Sequence, residues 1–461
     1  MADYDAIIIG AGQAGPALAR RLAAAEWKVA IVERKFFGGT CVNTGCTPTK
    51  TLVASAYAAQ LARRAADYGV IIGSDGDAVS VDMKAVKARK DALVNASRKG
   101  IEQSLKKLSG CTVYEGHARF LGPKEVRVGD EVLKADKIFI NVGGRASVPP
   151  IPGLDQVPYL TNSSMMDVDF LPPHLVVLGG SYIGLEFAQI YRRFGSSVTV
   201  IELAPRLIAR EDEDTSRTIA DILKDEGIDV RVDSKVVAVQ KQGNQIAATV
   251  ETAGARSQVL GSHLLLAIGR RPNTDDLGLD AAGVATDRHG YITVDDQLRT
   301  SVPGIWALGD CNGRGAFTHT SWNDFEIVAA NLLDNEPRRV SDRIDAYALY
   351  TDPPLGRAGM TETEVRKSGR PALIAVMAME DVSRAKEKAE TKGFMKILVD
   401  RETKQILGAS LLGVSGDEVI HCILDLMYAK APFTVMQRAM HIHPTVSEFI
   451  PSMMEDLAPL R

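Results

Sequence analysis

The chain has 461 residues, of which 45% are hydrophobic and 24% charged, with a formal net charge of -4. This length predicts two to four domains, because one hydrophobic core rarely serves more than about 300 residues. The balanced charge argues against nucleic acid as a partner, and no apolar stretch reaches the roughly 18 residues that a membrane-spanning helix needs.

The amino terminus reads "MADYDAIIIGAG", without the basic stretch and small-residue cleavage site of a secretory signal. The five cysteines are too few for a disulfide scaffold in a chain of this size. We therefore expect a cytoplasmic protein, in which two neighbouring cysteines are more often redox-active or metal-binding than structural.

The first predicted unit is residues 5–34, "DAIIIGAGQAGPALARRLAAAEWKVAIVER". An apolar strand, a glycine turn, an amphipathic helix and a second strand predict a dinucleotide-binding βαβ unit. Gly10 makes the tight turn, Gly12 lets the backbone approach a pyrophosphate, and Gly15 lets the helix pack close to the strand. Glu33 ends the second strand, where it accepts hydrogen bonds from a ribose.

The stretch "GGTCVNTGCTPTK", residues 38–50, places Cys41 and Cys46 close together, just before a segment with helical periodicity. A helix N-terminus stabilises a thiolate, the form that attacks disulfides and binds soft metals. The spacing of five residues requires a distorted first turn for a bridge, and a strained, accessible disulfide is a labile one.

Three other interpretations of this pair stay open on the residues alone. A structural zinc site would need two further ligands nearby, and Cys111, Cys311 and Cys422 are isolated in the sequence. A structural disulfide is disfavoured in a reducing compartment. Two buried core cysteines are the remaining alternative.

A second unit, residues 174–203, repeats the first without a gap. Ser181 replaces the middle glycine and is small enough to be tolerated there. Two such units predict two bound dinucleotides with electrons passing between them. The matched residues are Gly10 and Gly179, Gly15 and Gly184, and Glu33 and Glu202.

Three further apolar runs end in glycine and a polar residue, at 137–145, 264–274 and 304–313. Such strand ends are where an open α/β sheet holds its ligands. After about residue 340 the pattern changes: residues 393–413 predict two strands and 417–430 an amphipathic helix. We expect a third domain of the α+β class there.

The chain resembles the class I pyridine nucleotide–disulfide oxidoreductases. This family includes dihydrolipoamide dehydrogenase, glutathione reductase and mercuric reductase. The cysteine stretch carries the resemblance first, and further motifs extend it over essentially the whole chain. These motifs are "GAGQAG" near the start, "GGSYIGLE" (179–186), "IWALGD" (305–310), "YTDPPLGRAGMTE" (350–362) and "HIHPTVSE" (441–448).

The resemblance implies an α/β fold with two Rossmann-like dinucleotide-binding domains and a C-terminal α+β dimerisation domain. It implies FAD on the first unit and NADH or NADPH on the second. The implied domains are 1–150 for the first part of the FAD domain, 151–270 for NAD(P)H, 271–340 for the return to the FAD domain, and 341–461 for the interface.

The family motifs also imply roles for site residues. Cys41 would be the interchange thiol that meets the substrate, and Cys46 the thiolate against the flavin. Lys50 would lie near the flavin, paired with Glu186, and Tyr182 would cover the nicotinamide pocket. The implied FAD contacts are Gly10, Gly12, Gly15, Glu33, Gly39, Thr40, Lys50, Gly143 and Asp310. The implied NAD(P)H contacts are Gly179, Ser181, Gly184, Glu202 and Gly269.

The motif "HIHPTVSE" implies an acid–base pair. Glu448 on one imidazole nitrogen of His443 would raise its basicity and fix its tautomer. In the family this pair serves the interchange thiol from the neighbouring subunit, which implies a homodimer with shared active sites. His441 has no such implied role.

The electron acceptor is the finer question. The motifs are most similar to the mercuric-reductase-like branch and its copper(II)-reducing relatives, and a dithiol suits soft metal ions. We expect no resident metal: Cys41 and Cys46 would hold a metal substrate only transiently. The expected absence of a preceding metal-binding domain and of C-terminal vicinal cysteines disfavours efficient Hg(II) turnover.

Two alternatives remain. A dihydrolipoamide dehydrogenase-type reductase needs neither of those features, although Pro354 and Arg357 depart from the lipoamide pattern. A redox-sensing flavoprotein without turnover would need neither the cysteine pair nor the histidine–glutamate pair. For the nicotinamide, Glu202 favours NADH because it repels a 2′-phosphate, whereas Arg206 would admit NADPH.

Overall fold

The computed structural model describes residues 2–72 and 79–461. In its first part, the described residues 2–72 and 79–146 form seven strands and four α-helices. The strands are β1 (Ala2–Ile9), β2 (Val29–Glu33), β3 (Cys111–Glu115), β4 (Ala118–Gly122), β5 (Glu125–Val128), β6 (Glu131–Ile140) and β7 (Gly144–Ala146). The helices are α1 (Ala14–Ala24), α2 (Gly39–Asn43), α3 (Cys46–Arg63) and α4 (Met83–Lys106).

The middle part contains the second predicted unit. Its strands are β8 (Leu160–Thr161), β9 (His174–Leu178), β10 (Ser197–Ile201), β11 (Asp229–Arg231), β12 (Ser234–Gln242), β13 (Gln245–Thr252), β14 (Ala255–Gly261), β15 (His263–Leu266) and β16 (Arg270–Pro272). Its helices are α5 (Tyr182–Phe194) and α6 (Glu213–Asp225). The chain then returns with α7 (Leu279–Ala282), β17 (Ile305–Ala307) and α8 (Thr318–Ala329).

The last part is rich in antiparallel strands. Its strands are β18 (Ala346–Leu349), β19 (Leu355–Gly359), β20 (Ala372–Ala378), β21 (Phe394–Asp400), β22 (Ile406–Leu412) and β23 (Ala458–Pro459). Its helices are α9 (Glu362–Ser368), α10 (Ser383–Glu387), α11 (Gly416–Tyr428), α12 (Thr434–Arg438) and α13 (Phe449–Glu455). The two strands and the amphipathic helix predicted here are confirmed as β21, β22 and α11.

Two sheets form the two Rossmann-like units, and the first is parallel except for β5 and β4, which extend it antiparallel from β6. The first has the order β3-β2-β1-β6-β5-β4, and β17 pairs with β6 on the returning chain. The second has the order β11-β10-β9-β15-β8, with every pair parallel. The last part is a sheet of order β18-β19-β22-β21-β20-β23. The predicted α/β architecture with a C-terminal α+β unit is confirmed, whereas the residue bounds of its domains stay a prediction.

The two glycine turns are built alike, which explains the repeat in the sequence. Gly10 and Gly179 have φ of +107° and +110°, and an added Cβ would lie 2.3 Å and 2.4 Å from a backbone carbonyl oxygen. A Cβ on Gly15 or Gly184 would meet the carbonyl oxygen of the first glycine of its own turn at 2.3 Å and 2.0 Å. Only glycine therefore lets each helix begin this close to its strand.

Helix α3 connects the cysteine stretch to the second unit. Its residues Leu52 and Ala56 are buried in the same apolar cluster as Leu185 and Phe187 of α5. Leu355 of β19 joins that cluster from the C-terminal sheet. The cysteine pair thus lies where all three parts of the chain meet. Among the residues described, no helix is both long and apolar enough to cross a membrane.

Candidate active site

One cavity of about 1000 Å³ runs from the first glycine turn to the cysteine pair. The predicted FAD contacts that line it are Gly10, Gly12, Glu33, Gly39, Thr40, Lys50, Gly143 and Asp310. A Cβ on Gly39 would lie 2.8 Å from the Cα of Gly12, so two stretches of bare backbone meet there. Gly15 is behind the turn, packed on Gly10. The residues present therefore fit an extended dinucleotide such as FAD.

The carboxylate at the far end of this cavity is held in place by backbone groups. Glu33 accepts hydrogen bonds from the amides of Ala11, at 2.9 Å, and Lys35, at 2.8 Å. Its carboxylate is therefore fixed at the carboxyl end of β2, where the dinucleotide-binding motif places a ribose.

Asp310 faces the same cavity beside a cation that the sequence reasoning missed. The Nε of Arg270 lies 3.3 Å from the Asp310 carboxylate. Burial raises the pKa of Asp310, and the positive charge of Arg270 opposes that effect. Because β16 carries Arg270 and follows the second unit, no local sequence signal connects the two residues.

The two cysteines lie on different helices, as free thiols. Cys41 is in the short helix α2, whereas Cys46 is the first residue of α3. The helical conformation is interrupted between them at Thr44 and Gly45. The predicted distortion of the helix start is therefore present. The buried Asn43 fixes α2, since its side-chain amide donates to the carbonyl of Phe37 at 3.0 Å.

The environment separates the acidities of the two sulfurs. The pKa of Cys41 is raised by its hydrogen bond to Cys46, by burial and by the negative charge of that neighbour. The pKa of Cys46 is lowered to about 6 by the hydrogen bond from Cys41, by Thr318 and by the positive charge of Lys50, against the effect of burial. Thr318 Oγ1 lies 3.2 Å from Cys46 Sγ. The reduced pair therefore holds its negative charge on Cys46.

The predicted Lys50–Glu186 pair is present. Lys50 Nζ donates to both carboxylate oxygens of Glu186, at 2.9 and 2.7 Å. Glu186 is buried, and it also accepts a hydrogen bond from the amide of Tyr350 at 3.1 Å. The Lys50 ammonium lies 4.4 Å from the centre of the Tyr350 ring. Lys50 of α3 is thus held by Glu186 of α5, with its positive charge near Cys46.

Tyr182 lines the same cavity as the cysteines and belongs to an aromatic group. Its ring centre is 5.5 Å from that of Phe317. Phe317 stacks on His319 at 5.2 Å and on Tyr347 at 5.6 Å. Burial raises the pKa of Tyr182. This aromatic group joins Tyr182, the first residue of α5, to Phe317 and His319 at the start of α8 and to Tyr347 of β18.

The predicted NAD(P)H contacts lie at or near the second glycine turn, and none of them lines the cysteine cavity. Glu202 accepts hydrogen bonds from the amides of Gly180 and Ala204, the latter at 2.7 Å. Ser181 directly precedes α5 and makes no side-chain capping bond. Gly269 has φ of +126°, with no atom close to an added Cβ. The remaining predicted contacts, Gly179 and Gly184, form the turn itself.

His443 and Glu448 are paired, but not at the cysteines of their own chain. His443 Nδ1 lies 3.1 Å from both carboxylate oxygens of Glu448. The His443 side chain is 76% exposed, whereas that of Glu448 is 16% exposed. Neither residue lines the cysteine cavity of this chain. His441 is half-buried, and its Nδ1 lies 3.0 Å from the Ala439 carbonyl oxygen.

Sequence reasoning missed Thr318, Arg270 and Phe317 because their contacts are with distant parts of the chain. Thr318 is 272 residues from Cys46. The one signal available was position, since α8 begins shortly after the "IWALGD" motif.

Comparison with protein-family models finds two matches. Residues 4–324 match the pyridine nucleotide-disulphide oxidoreductase model, and residues 346–454 match the dimerisation domain of the same family. Together these matches cover most of the chain, including the cysteine stretch and the histidine–glutamate pair.

Among curated proteins, the chain is similar to a probable pyridine nucleotide-disulfide oxidoreductase, RclA, of Escherichia coli (strain K12). The two are 37% identical over 97% of this chain and 98% of that protein. It is 35% identical to a mercuric reductase of Streptomyces lividans, over 96% and 94% of the two chains. It is 30% identical to a dihydrolipoyl dehydrogenase of Chlamydia muridarum, over 96% and 95%.

Among solved structures, the chain is similar to a Cu(II) complex of HOCl-induced flavoprotein disulfide reductase RclA from Escherichia coli. The TM-score is 0.90 and the identity 35%, with 99% of each chain covered. The sequence relatives, the fold and the paired glycine turns agree. The chain therefore belongs to the pyridine nucleotide-disulphide oxidoreductase family, as a flavoprotein disulfide oxidoreductase that binds FAD and NAD(P)H.

Proposed function

We propose that this protein uses NAD(P)H to reduce a soft metal ion through the Cys41–Cys46 pair. The observation that carries the proposal is the pair itself, two sulfurs of unequal acidity on the cavity that holds the cofactor site. Thiolates select soft metals such as Hg(II) and copper. The similarity to mercuric reductases and to a protein solved as a Cu(II) complex supports the same acceptor class.

The redox step balances at the two sulfurs. When the Cys41 thiol and the Cys46 thiolate become a disulfide, the pair gives up two electrons and one proton. One Hg(II) takes both electrons, or two Cu(II) ions take one each. Bound FAD supplies the two-electron carrier that connects NAD(P)H to this pair. In the reduced pair, the hydrogen bond from Cys41, that of Thr318 and the charge of Lys50 lower the pKa of Cys46 and so favour its thiolate.

The raised pKa of Cys41 creates the need for a base. A thiolate attacks or binds metal, whereas a thiol does not. Because Cys46 takes the negative charge of the reduced pair, Cys41 keeps its proton until a base removes it. His443 is suited to this task, since Glu448 orients its imidazole and leaves Nε2 unused by that contact.

The position of His443 supports a homodimer with shared active sites. Its imidazole is on the exposed surface of the C-terminal part, and that part matches the family's dimerisation domain. A two-fold dimer would bring the His443 of each subunit to the cysteines of its partner. In this proposal residues 341–461 form the interface, residues 1–150 and 271–340 hold FAD, and residues 151–270 hold NAD(P)H.

A lipoamide-type disulfide is the second candidate acceptor. The chain is 30% identical to a dihydrolipoyl dehydrogenase over nearly its whole length. The same dithiol exchanges with a small disulfide, with Cys41 as the attacking sulfur. Arg357, the departure from the lipoamide pattern, is buried and donates to the carbonyl of Ala409 at 2.7 Å, so it is not at the acceptor.

A single-turnover titration tests the metal proposal. Protein reduced with dithiothreitol and desalted without oxygen is mixed with increasing Cu(II), and both Cu(I) and free thiols are counted. We expect two Cu(I) to form per subunit while two thiols are lost. Neither change should occur in Cys41→Ser or in Cys46→Ser. Formation of Cu(I) at the same yield in both variants would show that other groups reduce the metal.

A further inference from the structure

The tripeptide Arg210-Glu211-Asp212 connects the second glycine turn to the C-terminal part of the chain. It follows the loop of residues 203–209, which begins directly after Glu202. The amide of Ile208 donates to the carbonyl of Gly180 at 2.9 Å, and the amide of Glu211 to the carbonyl of Ile208 at 2.8 Å. The loop is therefore folded onto the glycine turn, and the tripeptide continues it.

Leu207 shows how closely the loop covers the turn. A Cβ on Gly180 would lie 2.5 Å from Leu207 Cδ2 and 3.0 Å from the Cβ of Glu202. Leu207 itself is buried. The position of the loop thus determines the space beside the carboxylate predicted to bind the nucleotide ribose.

Asp212 directs its carboxylate away from its own helix. It directly precedes α6, the position of an N-cap, yet it makes no capping bond to that helix. Instead its carboxylate accepts hydrogen bonds from the backbone amides of Glu362, at 2.8 Å, and Thr363, at 3.0 Å. It accepts a third from the Thr363 hydroxyl at 2.7 Å. Lys396 of β21 lies 3.2 Å away. All four donors belong to the C-terminal part of the chain.

The partners of Asp212 are themselves fixed. Lys396 is 1% exposed, and it also pairs with Asp214 at 2.8 Å and with Glu362 at 3.3 Å. The pKa of Asp212 is lowered to about 2, because hydrogen bonds from Thr363 and Glu362 and the charge of Lys396 outweigh burial. Removing the Lys396 charge would leave these three carboxylates without their shared cation, whereas Lys396 keeps Asp214 and Glu362 as partners when Asp212 is neutralised.

The other two residues of the tripeptide contact the same sheet from the cavity side. The buried Glu211 pairs with Arg357 at 3.5 Å and accepts a hydrogen bond from the Tyr347 hydroxyl. The guanidinium of Arg210 lies 5.2 Å from the centre of the Tyr347 ring and 5.9 Å from that of Phe317. Both rings belong to the aromatic group that contains Tyr182.

We propose that Arg210, Glu211 and Asp212 are positioning residues that make NAD(P)H affinity depend on the C-terminal part of the chain. They hold the 203–209 loop on the second glycine turn. Strand β21 and helix α9 hold Asp212, and strands β18 and β19 hold the other two residues. The inference rests on the proposed assignment of Glu202 and that turn to NAD(P)H. No residue of the tripeptide needs to contact the nucleotide for this effect.

Calorimetric binding of NAD⁺ and NADP⁺ to the FAD-loaded protein tests the proposal, together with the unfolding midpoint. Asp212→Asn and Lys396→Met remove the charge pair, and Thr363→Val removes one hydrogen bond from it. We expect the first two to weaken nucleotide binding about three- to tenfold and the third to weaken it less. The double variant Asp212→Asn/Lys396→Met should weaken binding less than the product of its single effects.

Asp352→Asn is the matched control. Asp352 pairs with Arg193 of α5 at 2.6 Å, another partly buried contact between the same parts of the chain, and it lies outside the loop. It should lower the unfolding midpoint but leave nucleotide binding unchanged. Equal weakening by Asp352→Asn would reduce the effect to general destabilisation and overturn the proposal.

Glu202→Ala separates the two assumptions. If it weakens binding while Asp212→Asn and Thr363→Val do not, the positioning role is wrong and the nucleotide site stands. If Glu202→Ala also has no effect, Glu202 is not a nucleotide contact, and both its assignment and the inference that rests on it fail. Asp212→Asn and Thr363→Val decide the matter even if Lys396→Met does not fold.

Discussion

At the cysteine pair, the surroundings give the two sulfurs different pKa values. Cys46 is the stable thiolate, because Cys41, Thr318 and Lys50 all favour its charged form. Cys41 is the protonated thiol that becomes reactive only when a base is present. The resemblance implied this division from sequence, and the environment supplies a physical reason for it, although the roles themselves remain a proposal.

The first prediction concerns Thr318. In a Cys41→Ser background, Thr318→Val removes the hydroxyl next to Cys46, so the pKa of Cys46 should rise. A hydrogen bond to a charged group contributes about 1.5 kcal/mol, so the acid dissociation constant should fall about tenfold. The measurement is the rate of iodoacetamide alkylation against pH, which rises as pH passes upward through the pKa.

Thr318→Ser is the control for this measurement, since it keeps the hydroxyl and should keep the parent midpoint. If Thr318→Val and Thr318→Ser titrate together, the hydroxyl has no effect on the thiolate, and Lys50 with the helix N-terminus must account for its acidity.

The second prediction concerns the choice of nicotinamide. Glu202→Gln keeps one of the two oxygens that accept from the amides of Gly180 and Ala204, and it removes the charge that repels a 2′-phosphate. The ratio of kcat/KM for NADPH to that for NADH should rise about tenfold, a change of about 1.4 kcal/mol. Arg206→Ala should move the ratio in the opposite direction. An unchanged ratio in both variants would remove this loop from cofactor selection.

At the scale of elements, the repeat in the sequence was predictable because its determinants are local. Strand, turn and helix of each unit lie within about 30 residues, and Gly10 and Gly179 are fixed by backbone geometry alone. The place of the cysteine stretch next to a helix start was equally predictable, since Cys46 is the first residue of α3.

The third prediction uses this local geometry. Gly179→Ala would place a methyl group 2.4 Å from the carbonyl oxygen of Ala267, in a backbone conformation with φ of +110°. Binding of NAD⁺ should weaken at least about tenfold while FAD content stays normal, because the first unit is untouched. Calorimetry and the flavin-to-protein absorbance ratio measure the two effects separately.

Gly243→Ala is the comparison for this variant. Gly243 also has a positive φ, +61°, but it lies in the turn between β12 and β13 with open space around it. It should cost some stability and leave nucleotide binding alone. Loss of FAD from Gly179→Ala would mean that the two units do not bind their cofactors independently.

The contacts that sequence reasoning missed join elements far apart in the chain. Thr318 reaches Cys46, and Asp212 reaches Thr363, across 272 and 151 residues. Periodicity and turn motifs report on neighbouring residues, so they carry no signal for such pairs. Asp212 also looks like an ordinary helix cap in the sequence, and only the structure shows its carboxylate in another part of the molecule.

At the scale of the whole molecule, the base proposed for Cys41 lies outside the cysteine cavity of its own chain. His443 is exposed, and it lies outside the cavity lined by Cys41 and Cys46. The C-terminal part that carries it matches a dimerisation domain. The same part holds the loop of the second glycine turn through Asp212, so we expect assembly and nucleotide binding to be linked.

The fourth prediction tests the shared site by complementation. Cys41→Ser and His443→Gln proteins are each expected to lose nearly all acceptor reduction. After subunits are exchanged at equal concentrations, half of the dimers are hybrids, and each hybrid has one site with both native groups. About a quarter of native activity should return. Failure to recover activity, with subunit exchange verified by mass, would place both groups in one subunit's site or exclude His443.

The most direct test of the central claim is NADH and NADPH oxidation without oxygen, with Hg(II), Cu(II), lipoamide or glutathione disulfide as acceptor. Cys41→Ser is assayed beside the native protein. The account predicts sustained turnover with a metal ion that Cys41→Ser abolishes, and little turnover with the two disulfides. Fast, Cys41-dependent turnover with lipoamide and none with either metal would contradict it and identify a lipoamide-type reductase instead.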